Sequence, residues 1–558
     1  MNLLFIAGLL AGLAALSWPF GKMMAWAMSP QEHSSPFRAN LDRLLVRVGG
    51  KPLELAQNWK QYCRALLLVN LAMFMVVYGL LAIQQYLPLN PDEKGALEGS
   101  LIFNTTASFT SNTNLQHYSG EVSLSYFSQL FAMMWLQFVS AGTGLAALTA
   151  LARGLSGQRL IGNFYLDLLR SVFLVLLPVA LVTAVILVLL GAPMTFEGAA
   201  VAKTLEGVMQ SIARGPVAAF VAIKQLGTNG GGFFGPNSTH PFENPGFWTN
   251  VVQCLSILLL PMAAVWMFGR ITGRTRHAAV IFVVMGVLLL AKMGFAIVFE
   301  TGQTPAFANQ PVTNSGVNLE GKELRFGAAA GPVWAAATTC TSNGSVNCMH
   351  DSLNPLTGLL PMVGMWLNVT YGGLGVGLIN MFLYIIVGVF IAGMMVGRTP
   401  EYLTRKVETK EMTLALLAIL IHPLFVLGGT AIFAASTWGA ATVNNPGSHG
   451  FSEILYEFSS AAANNGSGFE GLGDNTMPWN IATGIVMLLA RYIPIILPLA
   501  IAGSLAAKKP TPETSGTFHT DTPLFGLVLL GCVVLVGALL FLPVAVLGPV
   551  AEHLAAMQ

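Results

Sequence analysis

Four short stretches decide how this sequence is read: FTSNTN (109–114), GTNGGG (227–232), CTSNGS (340–345) and ANNGSG (463–468). They align without gaps. Thr110, Thr228, Thr341 and Asn464 share one column, Ser111, Asn229, Ser342 and Asn465 the next, and Asn112, Gly230, Asn343 and Gly466 the third. The third column holds only Asn and Gly, the residues that most readily take a positive φ, so the pattern predicts one backbone turn made four times. The copies recur every 113–123 residues, and their three columns contain no Asp, Glu, Lys or Arg.

Around each copy lies a moderately apolar run, within 95–121, 214–245, 327–352 and 448–475. Such a run is too short to cross a bilayer and reads as a re-entrant segment. Longer apolar stretches flank them, at 3–20, 63–84, 124–150, 169–191, 249–269, 279–299, 357–396, 412–434, 478–505 and 523–548, which gives ten spans. The fold class expected is therefore an all-α polytopic membrane protein with four helix, re-entrant loop, helix units and one extra helix at each end. The corresponding divisions are 1–60, 61–152, 153–272, 273–398, 399–507 and 508–558. Each unit crosses an even number of times, so all four loops enter from one side, as parallel repeats around an axis along the membrane normal.

Composition supports the bilayer as solvent. Of 558 residues only 9% are charged and 54% are hydrophobic, where soluble proteins carry about 25% charged residues. The net charge of +2 is thinly spread, which argues against a nucleic-acid partner. Five scattered cysteines make neither a disulfide framework nor a metal site. The first apolar run has no basic residue before Lys22, so it reads as a retained helix with its N-terminus outside. Alternating the loops from there puts nineteen Lys and Arg on the inner side and six on the outer, Lys224 among the six, a firm positive-inside bias.

Four such loops on one axis can line it with backbone carbonyls, and a ring of carbonyls replaces the hydration shell of a potassium-sized cation. The absence of charge in the columns disfavours a carboxylate ring or a basic ring. Lys292 and Arg491 fall inside spans, where a charge costs roughly 2.5–3.5 kcal/mol on insertion scales. Lys292 either faces the ion path or a partner, or snorkels outward near Glu300. Arg491, ahead of Pro494 and Pro498, reads as bracing a kinked helix through a carbonyl or carboxylate. The seventh apolar segment is interrupted by YGGLGVG (371–377), and Gly372, Gly373, Gly375 and Gly377 favour a broken backbone at membrane depth, a candidate gate below the ring. Gly230, Gly232 and Gly235 spell GxGxxG, but the βαβ context that dinucleotide binding needs is missing. With no GxxxxGK[ST] or nucleophile elbow, an ATP site in this chain is not expected.

The motifs TNGGGFFGPNSTHPFENP (228–245), VNCMHDS (346–352), GRTPEYLTRK (397–406) and NNGSGFEGL (464–472) resemble the potassium-translocating A subunits of bacterial Kdp potassium-transporting ATPases, over essentially the whole chain. That resemblance implies the potassium-channel superfamily and K+ as the transported ion. It also implies a location in the bacterial inner membrane, within a complex containing a P-type ATPase B subunit, a C subunit and a small F subunit. It assigns the ion filter to Thr110, Ser111, Asn112, Thr113 and Asn114, then Thr228, Asn229, Gly230, Gly231 and Gly232. The third and fourth filter segments are Thr341, Ser342, Asn343, Gly344 and Ser345, and Asn464, Asn465, Gly466, Ser467 and Gly468. The family pattern often has Cys where Asn343 stands. Two other readings remain open: an autonomous Trk/Ktr-type potassium channel or symporter, and a proton-moving subunit of a respiratory enzyme. The second would need ionisable residues in several spans, and here the charge lies almost wholly in loops.

Overall fold

In the computed structural model residues 3–29, 36–302, 304–305, 317–395, 397–512 and 518–557 are described. Ten helical spans cross: Leu4–Met28, Trp59–Ala82, Ser128–Leu155, Phe164–Leu189, Phe247–Ile271, Thr275–Thr301, Val376–Met395, Thr409–Ala435, Met477–Ala507 and Pro523–Ala556. The architecture is the expected all-α one. Its only sheets among the described residues are two small hairpins, Ala200–Lys203 with Met209–Ile212 and Glu401–Tyr402 with Arg405–Lys406.

Burial sorts the spans into two shells. The third, fifth and seventh are each 78% buried and the ninth 50%, whereas the second, fourth, sixth and eighth are 28–44% buried. In each pair the first span thus lies on the outside of the chain and the second lies towards its centre. The two extra helices, 22% and 28% buried, also lie on the outside. The first packs on the fifth span so closely that a Cβ on Gly21 would lie 2.5 Å from that of Trp266, while Trp266 Nε1 donates to Ser17.

Four short helices sit between the paired spans: Gly99–Thr110, Val217–Leu226, Ala330–Cys340 and Ser448–Ala463. They are sealed from lipid and from bulk water, with nearly every side chain buried. Glu98 caps the first by accepting from the Leu101 N–H at 3.0 Å. None carries a proline inside except Pro332 in the first turn of the third, where the missing N–H costs nothing.

The long seventh apolar segment breaks as its glycines suggest. A helix Pro355–Leu367 ends on Asn368 in the left-handed region, and the backbone runs irregularly until the helix resumes at Val376. Two glycines are obligatory there for steric reasons. A Cβ on Gly375 would lie 2.3 Å from the Gly144 carbonyl oxygen, and one on Gly377 would lie 1.9 Å from that of Gly372.

Candidate functional site

The register of the four turns differs from the gap-free alignment. After each short helix one residue turns left-handed: Asn112 (φ 66°), Thr228 (51°), Ser342 (48°) and Asn464 (51°). The next N–H, of Thr113, Asn229, Asn343 and Asn465, donates to the carbonyl five residues back, on Ser108, Lys224, Thr338 and Ser460, at 2.9–3.0 Å. A second left-handed residue follows: Asn114 (φ 57°), Gly230 (81°), Gly344 (93°) and Gly466 (102°). The first copy is therefore displaced by two residues and the third by one. Asn343 is not left-handed, contrary to the expected column. Matching Thr with Thr chose the wrong register because the hydrogen bond that closes each helix, not side-chain identity, sets where the turn falls. The column restricted to Asn and Gly exists, but it lies past the place assigned to it in the first and third copies.

The four turns meet in a closed ring. A Cβ on Gly230 would lie 1.9 Å from Asn343 O, one on Gly344 2.0 Å from Asn465 O, and one on Gly466 2.1 Å from Thr113 O. Side-chain amides stitch neighbours together. Asn112 Nδ2 donates to Thr228 O (2.9 Å), Asn343 Nδ2 to Lys224 O (3.2 Å) and Asn465 Nδ2 to Thr338 O (3.0 Å), while Asn464 Nδ2 reaches Thr113 Oγ1 (2.9 Å). Thr110, Ser111 and Thr341 belong to the helix ends, Thr110 being the last residue of its helix. Gly231 packs 2.9 Å, measured from a Cβ, against Asn114.

Just above the turns, further residues hold the loops from behind. Gly232 exchanges two hydrogen bonds with the Gln116 side chain, at 2.6 and 3.0 Å. Trp334 Nε1 donates to Ser345 O (2.9 Å), and the Tyr456 hydroxyl shares a 2.8 Å bond with Ser467. Gly468 lies 3.7 Å, again from a Cβ, from Glu457. The two aromatic braces each stand eleven residues before the residue they hold, a shared spacing through which the sequence could have revealed them.

Cavities open on both sides. The one on the side where the chain leaves the turns, termed outer, is about 560 Å³ and is lined by Gln116, His117, Gly344, Gly466, Ser467 and Asp474. His117 bonds Asn480 Oδ1 at 2.7 Å and Glu457 Oε1 at 3.1 Å, with Asp474 at 3.9 Å. Burial alone would lower its pKa, but Asp474 and Glu457 raise it to about 9. Burial raises Asp474 to about 6 against the pull of His117, and burial raises Glu470 to about 8. The inner cavity, about 50 Å³, is lined by Ser342, Asn368, Gly373, Asn464, Arg491 and others.

The broken segment presses on the inner end of the ring. Gly373 N–H donates to Thr341 O at 2.5 Å and Leu374 N–H to Thr228 Oγ1 at 2.8 Å. Ser342 Oγ donates to Asn368 Oδ1 at 2.6 Å. Gly372 is packed against Asn368 and Gly377. Lys292 is 5% exposed, and its Nζ lies 3.4 Å from Thr370 Oγ1 in this segment. Glu300, near which the snorkelling alternative would place Lys292, pairs with Lys322 at 2.7 Å. Arg491 donates to Ser140 O at 3.2 Å from a wall of the inner cavity. One charge is misplaced by the loop count: Lys224 lies within the second short helix and is fully buried.

Comparison with known proteins yields one family and one shared fold. Residues 7–554 match the model of the potassium-transporting ATPase A subunit family. A potassium-transporting ATPase potassium-binding subunit from Geobacillus kaustophilus (strain HTA426) is 48% identical over 544 residues, covering 97% of each chain. The crystal structure of the potassium transporter TrkH from Vibrio parahaemolyticus superposes with a TM-score of 0.52, covering 87% of this chain and 97% of that one at 12% identity. That likeness is one of fold.

Proposed function

The chain belongs to the potassium-transporting ATPase A subunit family, and from that premise we propose that it binds potassium from the outer side and hands it to an ATP-hydrolysing partner. Potassium is the cargo, and the backbone oxygens of the four turns receive it. The observation that carries this is the closed ring, in which uncharged turns from four repeats approach within van der Waals contact of one another's carbonyls. Carbonyl dipoles held by mutual hydrogen bonds replace hydration water at little reorganisation cost. The C-terminal, partially negative ends of the short helices add to the attraction.

The filter is assigned to residues 110–114, 228–232, 341–345 and 464–468, with Asn112 to Asn114, Thr228 to Gly230, Ser342 to Gly344 and Asn464 to Gly466 at its centre. Gly372, Gly373, Gly375 and Gly377 form the gate beneath it, since their segment is tied to Thr341 and Thr228. Lys292 acts as a fixed charge behind that gate, and Arg491 braces the wall of the inner cavity. The complex contains the ATPase B subunit, a C subunit and a small F subunit, in the bacterial inner membrane with the N-terminus outside. An autonomous Trk-type transporter is disfavoured because a 12% identical structure carries fold alone, while the 48% identical relative is named for an ATPase. Purification of the chain from native membranes should bring an ATPase with it, and potassium should stimulate ATP hydrolysis by that assembly. A chain that conducts potassium alone without ATP overturns the proposal.

A further inference from the structure

The four short helices close their turns on equivalent residues, and one is unlike the rest. Ser108, Thr338 and Ser460 carry short hydroxyls that serve their own loops. Thr338 Oγ1 and Ser460 Oγ accept from the N–H of Gly344 and Gly466 at 2.9 Å, and Ser108 Oγ donates to Leu115 O at 2.8 Å. In the second helix the place is held by Lys224. Its carbonyl accepts from the Gly230 N–H at 3.2 Å, as Ser108 O does from the Asn114 N–H at 3.1 Å, and what sets it apart is its side chain, which runs on behind the loop to Glu243, Ser238 and Asn237. Both Lys224 and Glu243 are fully buried.

A buried ion pair is an expensive way to secure a turn that a serine secures elsewhere. What the pair accomplishes is visible at Asn237. Its Oδ1 accepts from the Lys224 ammonium and from the Ser238 N–H. An ammonium only donates, so the amide is fixed in one orientation and cannot flip. Its Nδ2 is thereby directed at Gly230 O, which it meets at 2.7 Å. Glu243 completes the clasp by neutralising Lys224 and accepting from the Phe234 N–H at 2.9 Å. Among the described residues no side chain donates to the equivalent oxygens of Asn114, Gly344 or Gly466.

We propose that Asn237, oriented by the Lys224–Glu243 pair, is a specificity-determining positioning residue that engages the Gly230 carbonyl and so makes the outer ring unequal, three free oxygens and one held. This rests on the filter assignment above. An oxygen already accepting a short amide hydrogen bond is a weaker and less mobile ligand, so the ring resists relaxing around a larger ion. Releasing it lets the second loop adjust, and discrimination between potassium and rubidium falls.

The test uses the complete complex purified with its ATPase. Asn237→Asp keeps the size of the side chain and its acceptor toward Lys224 but turns an acidic oxygen toward Gly230 O, and Asn237→Ala removes the donor without adding charge. Apparent KM for potassium and for rubidium is read from ATP hydrolysis, beside the rate at saturating potassium. The expected result is a fall of about fivefold in the rubidium-to-potassium KM ratio, larger than any loss of saturated rate. Asn237→Ala, and the charge-free pair Lys224→Met with Glu243→Gln, should move the ratio in the same direction if Asn237→Asp assembles poorly. A purely structural role lowers yield and rate for both ions together and leaves the ratio alone, which overturns the proposal. Failure of the underlying filter assignment looks different: wild-type hydrolysis would then show no preference for potassium over rubidium.

Discussion

Gly230 and Asn343 stand so close that a single added carbon is not accommodated: a Cβ on Gly230 would lie 1.9 Å from the Asn343 carbonyl oxygen. The second and third repeats are thus joined through a backbone contact that any side chain destroys, and Gly230 is left-handed as well.

Gly230→Ala is therefore expected to push the third loop away. The left-handed backbone alone costs about 1–2 kcal/mol, so potassium affinity should drop about tenfold or more while membrane insertion is kept. Isothermal binding of potassium to the purified complex measures this. Unchanged affinity in a well-expressed variant would falsify the filter assignment.

Gly375→Ala places a carbon 2.3 Å from the Gly144 carbonyl oxygen and displaces the segment that leans on Thr341 and Thr228. Strain of roughly 1–3 kcal/mol should loosen the gate, giving potassium leak from loaded vesicles without ATP. Vesicles that stay tight speak against a gating role.

Lys292 contacts Thr370 in the same segment at 3.4 Å. Lys292→Met is expected to leave the chain folded and potassium-binding but to lower the uptake achieved per ATP hydrolysed. Both quantities are read in one set of reconstituted vesicles, and a constant ratio removes the functional role.

Arg405 donates to the carbonyls of Leu505 and Lys508 at 2.8 Å, so it fastens its hairpin to the end of the ninth span. Arg398, Lys406 and Lys410 are exposed beside it. Changing those three to Glu should weaken co-purification of the ATPase, whereas Arg405→Glu should lower thermal stability. If the triple variant retains its partner fully, the basic residues serve topology alone.

His117 gives a pH dependence with a definite sign. Its folded pKa, about 9, exceeds the usual 6.5, so the stability it contributes is complete below pH 6.5 and is lost as pH rises through about 9. The contribution is roughly 3 kcal/mol at most. Thermal unfolding of the wild type should fall between pH 6.5 and 9 more steeply than that of His117→Gln, and parallel profiles would refute the pairing with Glu457 and Asp474.

Much of this architecture was written in the sequence, because hydropathy and turn chemistry are local. Twenty-residue apolar runs must become helices where no water can satisfy a peptide group, and Gly and Asn mark positive φ wherever they lie. Four such turns at regular spacing imply four repeats, and YGGLGVG (371–377) implies a break. The register itself shows only in the folded backbone: Thr113, Asn229, Asn343 and Asn465 are equivalent because their N–H groups close four helices on one carbonyl position, which residue identity does not reveal. The fate of the buried charges was likewise settled by packing. Lys224 reads as an outer-loop charge until Glu243, nineteen residues on, folds back to meet it. Lys292 meets Thr370, while Glu300, eight residues on in its own helix, pairs instead with Lys322 from a distant loop. Charge pairing inside a bilayer depends on which partners arrive in three dimensions, and that information is held by the assembled helices rather than by any one stretch of chain.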